Sequence, residues 1–348
     1  MNKYLLILLA AFSLFFHSCT EDSNTDKTSL NSGTLIVNEG QFGTGTGTIS
    51  YFDGKTLIED IYADNNVGLV LGNIAQSVIK FDNKFFIAVN NAAKVVVVNA
   101  ADFKHLGEIE VKLPRYFAVA NNKLYLTSWS EDFTSGFVNL IDTKDLKIVK
   151  SVPVQGLVEK MVAQSNQLYI TVSASAFDQY KNDVVVFDTD KNEVTGSIKV
   201  GDNSNDITTD SNGDIWVICS GFYDFSNPAN NTAGSLHRIR GNSSDFSIEL
   251  PNGSSKLVSG QNKASLYYLS DGAVRKFNIA DLATDPLFKI EGFFYSLGYD
   301  ETSDLIYVGD AKDFQQKGTV STYKANNTQS AVNTLTTGIA PSFFYFIK

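Results

Sequence analysis

One cycle of four short strands recurs seven times along this 348-residue chain, and that period constrains the fold more than any other feature. Each cycle holds a strand with an aromatic or aliphatic start: Leu35 in "LIVN", Phe86 in "FIAV", Tyr125 in "YLTS", Tyr169 in "YITV", Trp216 in "WVIC", Tyr267 in "YYLS" and Tyr307 in "YVGD". An alternating strand follows each one: "ISYFD", "VVVVN", "VNLID", "VVVFD", "LHRIR", "VRKFN" and "VSTYK". After a polar turn comes a third strand, such as "HLGEIEV" or "EVTGSIKV", and a further apolar strand, such as "QSVIKF" or "RYFAVA", opens the next unit. β-Branched and aromatic residues dominate, and no long stretch keeps apolar residues at a 3.6-residue period. The fold class is therefore all-β, and seven four-strand units of about 45 residues predict a seven-bladed β-propeller.

The first unit lacks its opening strand, whereas the chain finishes on a spare one, "PSFFYFI". Pairing residues 342–347 beside 35–38 would complete a blade from both termini and leave no open edge. In this frame the glycine-rich "NEGQFGTGTGTISYF" at 38–52 is a hairpin connection. A dinucleotide-binding loop would need a third glycine where Thr48 stands, followed by a helix, and "TISYF" reads as a strand instead.

A formal charge of -10 with no basic run argues against nucleic acid or an anionic lipid surface as partner. Apart from His17 near the N-terminus the chain has only His105 and His237, in different units, so neither a histidine metal site nor a Ser-His-Asp triad can be assembled. "DTDKNE" begins like a calcium loop at Asp188, but Glu193 stands where glycine is required and Lys199 where the bidentate glutamate belongs. Cys219, within "IWVICS", reads as a core thiol. The expectation is a protein without catalytic residues, metal or cofactor; a carboxylate-only propeller lyase or hydrolase is the enzymatic alternative.

In a propeller, the connections from second to third strands share one face with the links that lead to each next inner strand. Five of these seven connections are long and carry phenylalanine: Phe42, Phe133, Phe177, the pair Phe222 and Phe225, and Phe314. Trp129, Tyr180 and Tyr223 accompany them. Long loops in a compact domain tend to be functional, and clustered rings on a surface mark contact with a partner or ligand. The starts of the inner strands supply a second ring nearer the axis: Gln76, Arg115, Tyr116, Glu159, Lys160, Asn205, Asp206, Lys256 and Tyr295. Charges of both signs beside aromatics suit a polar ligand with apolar faces. The candidate ligand-binding residues are the loop aromatics together with Arg115, Tyr116, Asn205, Asp206 and Tyr295, each weighed against packing between blades or a solvated channel mouth.

The N-terminus carries one lysine and a short apolar run ending before Cys19, too short for the roughly twenty residues of a bilayer crossing. It resembles a bacterial lipoprotein signal over 1–18, with lipidation of Cys19, although Phe16 and His17 depart from the usual residues. A polar, acidic tether follows over 19–33 and the propeller occupies 34–348. An acidic stretch directly after the lipidated cysteine resembles the signal that exports Bacteroidetes lipoproteins to the outer face of the outer membrane. The opening "LIVNEGQFGTGTGTISYFD", the seven aromatic-start strands and the "VFDTDKNEVTGSIKV" type of unit resemble the YncE-like, surface-layer-like propeller lipoproteins of Bacteroidetes. That resemblance covers the whole of 34–348 and includes the BtuG type, which captures cobalamin and passes it to a TonB-dependent outer-membrane transporter. It implies ligand capture on one propeller face without chemistry, with cobalamin as cargo and the transporter as partner. Binding of a glycan, a peptide or another protein is the alternative.

Overall fold

The computed structural model describes residues 30–173 and 181–348. Cys19, Phe177 and Tyr180, the leader over 1–18 and the tether up to residue 29 lie outside the described residues. Among the described residues seven antiparallel sheets are present, each four strand positions deep and running in chain order from the inside outwards. The exceptions are that the innermost strand of blade one is the last of the chain and that the outer position of blade six is shared by two short strands. The inner strands are Ala75–Phe81, Pro114–Ala120, Leu157–Gln164, Ser204–Thr209, Ser255–Ser259, Ser296–Asp300 and Pro341–Ile347. Each touches the next all the way round, so the ring is closed and the fold is a seven-bladed propeller.

Closure uses both termini of the ring. Gly33–Asn38 pairs with Thr48–Phe52 on one side and with the C-terminal strand Pro341–Ile347 on the other, Leu35 opposite Tyr345 and Ile36 opposite Phe344. The closing strand comes so near blade seven that a Cβ on Gly298 would stand 2.8 Å from the Phe344 ring. Glycine is the residue that permits this approach.

Blade interiors follow from strand composition. Middle strands are buried on both faces and read as unbroken apolar runs: Phe85 to Val89 and Val95 to Val98 are all buried. Outer strands meet solvent, and of Glu193–Lys199 only Ile198 is buried. The core therefore lies between blades. Phe86, Val95 and Val97 of blade two meet Leu124, Leu126 and Ile141 of blade three, and Trp216 and Leu236 of blade five meet Leu266 and Phe277 of blade six. Each such side chain contributes about 1.5–3 kcal/mol when fully buried. Trp216 satisfies its indole N–H by donating to the buried Asp210 carboxylate at 2.9 Å.

Two blades depart from the pattern. The outer strand of blade six is broken into Ala283–Thr284 and Ile290–Glu291, which pair with opposite ends of Ala273–Asn278. Pro286 lies in the gap and has no N–H for a ladder. Between blades one and two the link forms a short helix, Ile61–Asn65, where Asp60 accepts from the amides of Tyr62 and Ala63. Ile61 and Tyr62 pack into the core from this helix.

Candidate functional site

The inner strands share an irregularity at one level. Pairing with the neighbouring strand skips Gln76 in blade two, Arg115 and Tyr116 in blade three, Glu159 and Lys160 in blade four, Asn205 in blade five, Lys256 in blade six and Ser342 in blade one. These are β-bulges, which re-aim side chains that a regular strand would send to its faces. Four of these strands are entered through a non-glycine residue with left-handed backbone, Ile74, Leu113, Asn203 and Ala340. The β-branched Ile74 at φ 59 is a costly occupant of that region. Blade seven has no bulge and contributes Tyr295, immediately before its strand. The axial ring predicted from sequence is thus assembled, by a backbone device that the residue types do not announce.

These side chains form a connected network. The Arg115 guanidinium clamps Glu159, with Nη2 at 2.9 Å from Oε2 and 3.0 Å from Oε1, and donates through Nη1 to Gln76 Oε1 at 2.6 Å. Gln76 in turn donates to the Tyr116 hydroxyl at 3.0 Å. Lys160 meets Asp206 at 2.5 Å, and Asp206 also accepts from the Leu257 amide at 3.0 Å. The Tyr295 hydroxyl donates to Glu39 at 3.0 Å. Burial raises the Glu159 pKa, opposed chiefly by Arg115, and raises that of Glu39 against the hydrogen bond from Tyr295. Burial also drives the Lys256 pKa down, helped by Lys160. The Lys256 ammonium lies 5.5 Å above the Tyr295 ring.

A chamber of about 350 Å³ opens here, lined by Arg115, Tyr116, Glu159, Lys160, Asn205, Asp206, Lys256, Phe294 and Tyr295. Below it a second space of about 300 Å³ is walled by Leu297, Tyr299, Phe343, Phe344 and Phe346. Tyr116, Lys160 and Lys256 line both and form the waist between them. The Lys160 ammonium is 5.7 Å from the Tyr116 ring centre, and Phe343 packs on the same ring at 6.2 Å.

Of the predicted loop aromatics, Phe42 is 77% exposed, Tyr223 52%, Phe225 90% and Phe314 46%. All belong to connections on the face where the chamber opens. Phe314 packs edge-on against Tyr295 at 5.0 Å, which joins the rim to the mouth. The loop carrying Tyr223 and Phe225 is ordered by its own polar residues: Asp224 accepts from the amides of Ser226 and Asn227 and from the Asn230 side chain, while its amide donates to Asn231. The two rings stand 4.7 Å apart on this platform. Phe222 is half-buried beneath them, its amide donating to Thr232 Oγ1.

Trp129 and Phe133 are placed differently. Trp129 is half-buried, donates to the Val158 carbonyl at 2.8 Å and lies 4.0 Å under the Arg115 guanidinium. Phe133 packs edge-on against it at 6.2 Å. Trp129 thereby links blades three and four and supports the charged network from behind. Sequence reading missed four groups at this face: Glu39, Ser342, Phe294 and Phe293, the last 93% exposed in the link before Tyr295. The unusual run "GFFYS" is the one signal that could have revealed the phenylalanines.

His105 hydrogen-bonds the Tyr62 hydroxyl, and His237 sits between Ser235 and Ser244, both away from the mouth. Cys219 is buried, which pushes its thiol up to about 12. Among the described residues no group of three or more His, Cys, Asp or Glu side chains could hold a metal ion, and no helix is long and apolar enough to cross a membrane.

Comparison with known proteins places this architecture. The family described as "Domain of unknown function (DUF5074)" matches residues 32–334. No curated protein matches the chain. Among solved structures, a quinonprotein alcohol dehydrogenase-like protein from Bacteroides thetaiotaomicron superposes with a TM-score of 0.68 at 14% identity, over 92% of this chain and 79% of that one. A hypothetical selenium-binding protein from Sulfolobus tokodaii gives 0.67 at 10% identity, over 91% and 93%. A putative 6-phosphogluconolactonase from Bacteroides uniformis gives 0.61 at 11% identity, over 91% and 99%. At such identities the likeness is one of fold.

Proposed function

The chain belongs to the DUF5074 family, and from the charged mouth and ring-bearing rim of its propeller we propose that it is a ligand-capture module rather than an enzyme. The observation that carries this reading is the crown of five exposed rings, Phe42, Tyr223, Phe225, Phe293 and Phe314, on the face where the polar chamber opens. Exposed rings around hydrogen-bonding groups suit a ligand with a broad apolar body and a polar edge. The carboxylates at the mouth are already engaged, Glu159 by Arg115, Asp206 by Lys160 and Glu39 by Tyr295. Acids held this way favour holding a ligand over shuttling protons.

Cobalamin is the ligand we propose to test first. A corrin has a wide apolar face and an amide-bearing edge, and a cobalt ligated above and below needs no protein histidine. In the same reading Cys19 carries a lipid, the propeller faces outwards from the outer membrane, and the cargo passes to a TonB-dependent transporter. Titration of the purified protein with cyanocobalamin by calorimetry tests the ligand. We expect saturable one-to-one binding, weakened about tenfold or more when Tyr223 and Phe225 are both changed to Ala, as loss of two aromatic contacts demands. Absence of heat and of any thermal shift would rule cobalamin out.

A further inference from the structure

The bulges at the channel mouth are not equivalent. Gln76, Arg115, Glu159, Lys160, Asn205 and Ser342 all hydrogen-bond within the protein: Gln76 to Tyr116, Arg115 to Glu159, Lys160 to Asp206, Asn205 to Ser220 and Ser342 to the Val37 carbonyl. Lys256 is the exception. The residue is half-buried and lines the chamber of about 350 Å³, and its ammonium has no hydrogen-bond or ion-pair partner among the described residues, only the face of Tyr295. Its backbone is held in the left-handed region at φ 51, an unfavourable conformation for lysine. Strain, desolvation and an unused charge thus coincide at one residue that points into a cavity. A partly desolvated ammonium without an acceptor is costly, and such a cost persists where a ligand supplies the missing acceptor.

We propose that Lys256 anchors the carboxylate of a small ligand bearing a flat ring. Charge count selects a monoanion. Arg115 and Lys160 are engaged by Glu159 and Asp206, while Lys256 is the one mouth cation with no hydrogen-bond acceptor among the described residues; the Glu39, Glu159 and Asp206 carboxylates already balance the three cations, so a ligand with more than one negative charge is disfavoured. Ring character follows from the walls, to which Tyr116, Phe294 and Tyr295 contribute aromatic surface. The chamber lies at the small end of the usual size of ligand pockets, roughly 300–1,000 Å³. The inference rests on reading this face as ligand-binding, but not on cobalamin as the cargo.

The test is fluorine NMR of para-fluorobenzoate with the whole purified protein, beside the neutral para-fluorobenzamide. We expect saturable binding of the benzoate, weaker binding of the amide, and a loss of about tenfold or more in benzoate affinity for Lys256→Met, one charge-assisted contact being worth that factor. Thermal melting of the same variant supplies the second readout. Replacing an unpaired ammonium by an apolar chain of similar length should leave the melting temperature unchanged or raised, the mark of a residue kept for binding at the expense of stability. No benzoate binding to the parent protein, equal binding of acid and amide, or equal affinity in parent and Lys256→Met would each overturn the assignment. Should Lys256→Met melt lower, Lys256→Gln decides: retained benzoate affinity in that variant would likewise overturn it. Benzoate binding together with silence towards cobalamin would leave the anchor standing and remove the proposed cargo.

Discussion

Deleting residues 341–348 is expected to abolish cooperative folding of the entire propeller, not of one blade. The C-terminal strand is the inner strand of blade one and pairs along the whole of Gly33–Asn38. Its loss would strip partners from the buried Leu35, Ile36 and Val37, and remove the buried Phe344 and Ile347. At about 1.5–3 kcal/mol for each fully buried side chain, with the half-buried Phe343, Tyr345 and Phe346 in addition, the deficit approaches the roughly 5–15 kcal/mol that holds a domain together. It would also open the ring between blades seven and two and expose an unpaired strand edge, a template for aggregation. Circular dichroism melting and gel filtration read both effects. A cooperative melt within a few degrees of the parent would show that closure by this strand is dispensable.

The second large effect is expected at Arg115. Changing it to Ala should destabilise the protein by about 3–5 kcal/mol, because the buried Glu159 carboxylate would lose its bidentate partner. Gln76 and the Trp129 face would lose the guanidinium as well. Replacing both charges at once, Arg115→Met with Glu159→Leu, should recover most of that loss, since the cost lies in stranding one charge rather than in lacking the pair. Denaturant titration of the parent and these two variants tests this. A double variant no more stable than Arg115→Ala would mean that the pair itself carries the stability.

Much of this architecture is legible in the sequence. The apolar runs starting at Leu35, Phe86, Tyr125, Tyr169, Trp216, Tyr267 and Tyr307 are strands buried on both faces, legible as short continuous apolar runs that recur between turn residues. The spare "PSFFYFI" and the missing first strand together announce closure. Residues 115–116, 159–160 and 205–206 are recognisable at the mouth because the repeat gives their level. The bulges are not legible, since a one-residue insertion in a strand leaves no characteristic residue type, and although the repeat places Lys256 in the axial ring, nothing in the sequence shows that its ammonium is left without an acceptor. Trp129 shows a related limit. Its position in a long loop region signals exposure, but its indole is bonded to the Val158 carbonyl and lies beneath Arg115, both remote in sequence. Glu39 comes to the mouth only because ring closure brings blade one beside Tyr295, a contact across nearly the full chain.

The central claim of the proposed function is that cobalamin sits across the chamber mouth and the aromatic rim of a single face. Hydrogen exchange measured with and without saturating cyanocobalamin tests it most directly. The account predicts added protection in the segments 39–47, 220–233, 292–295 and 311–316, which carry the exposed rings, and none in the opposite-face turns at 100–104 and 143–146. Unchanged exchange at the rim, or protection confined to the opposite face, would contradict it.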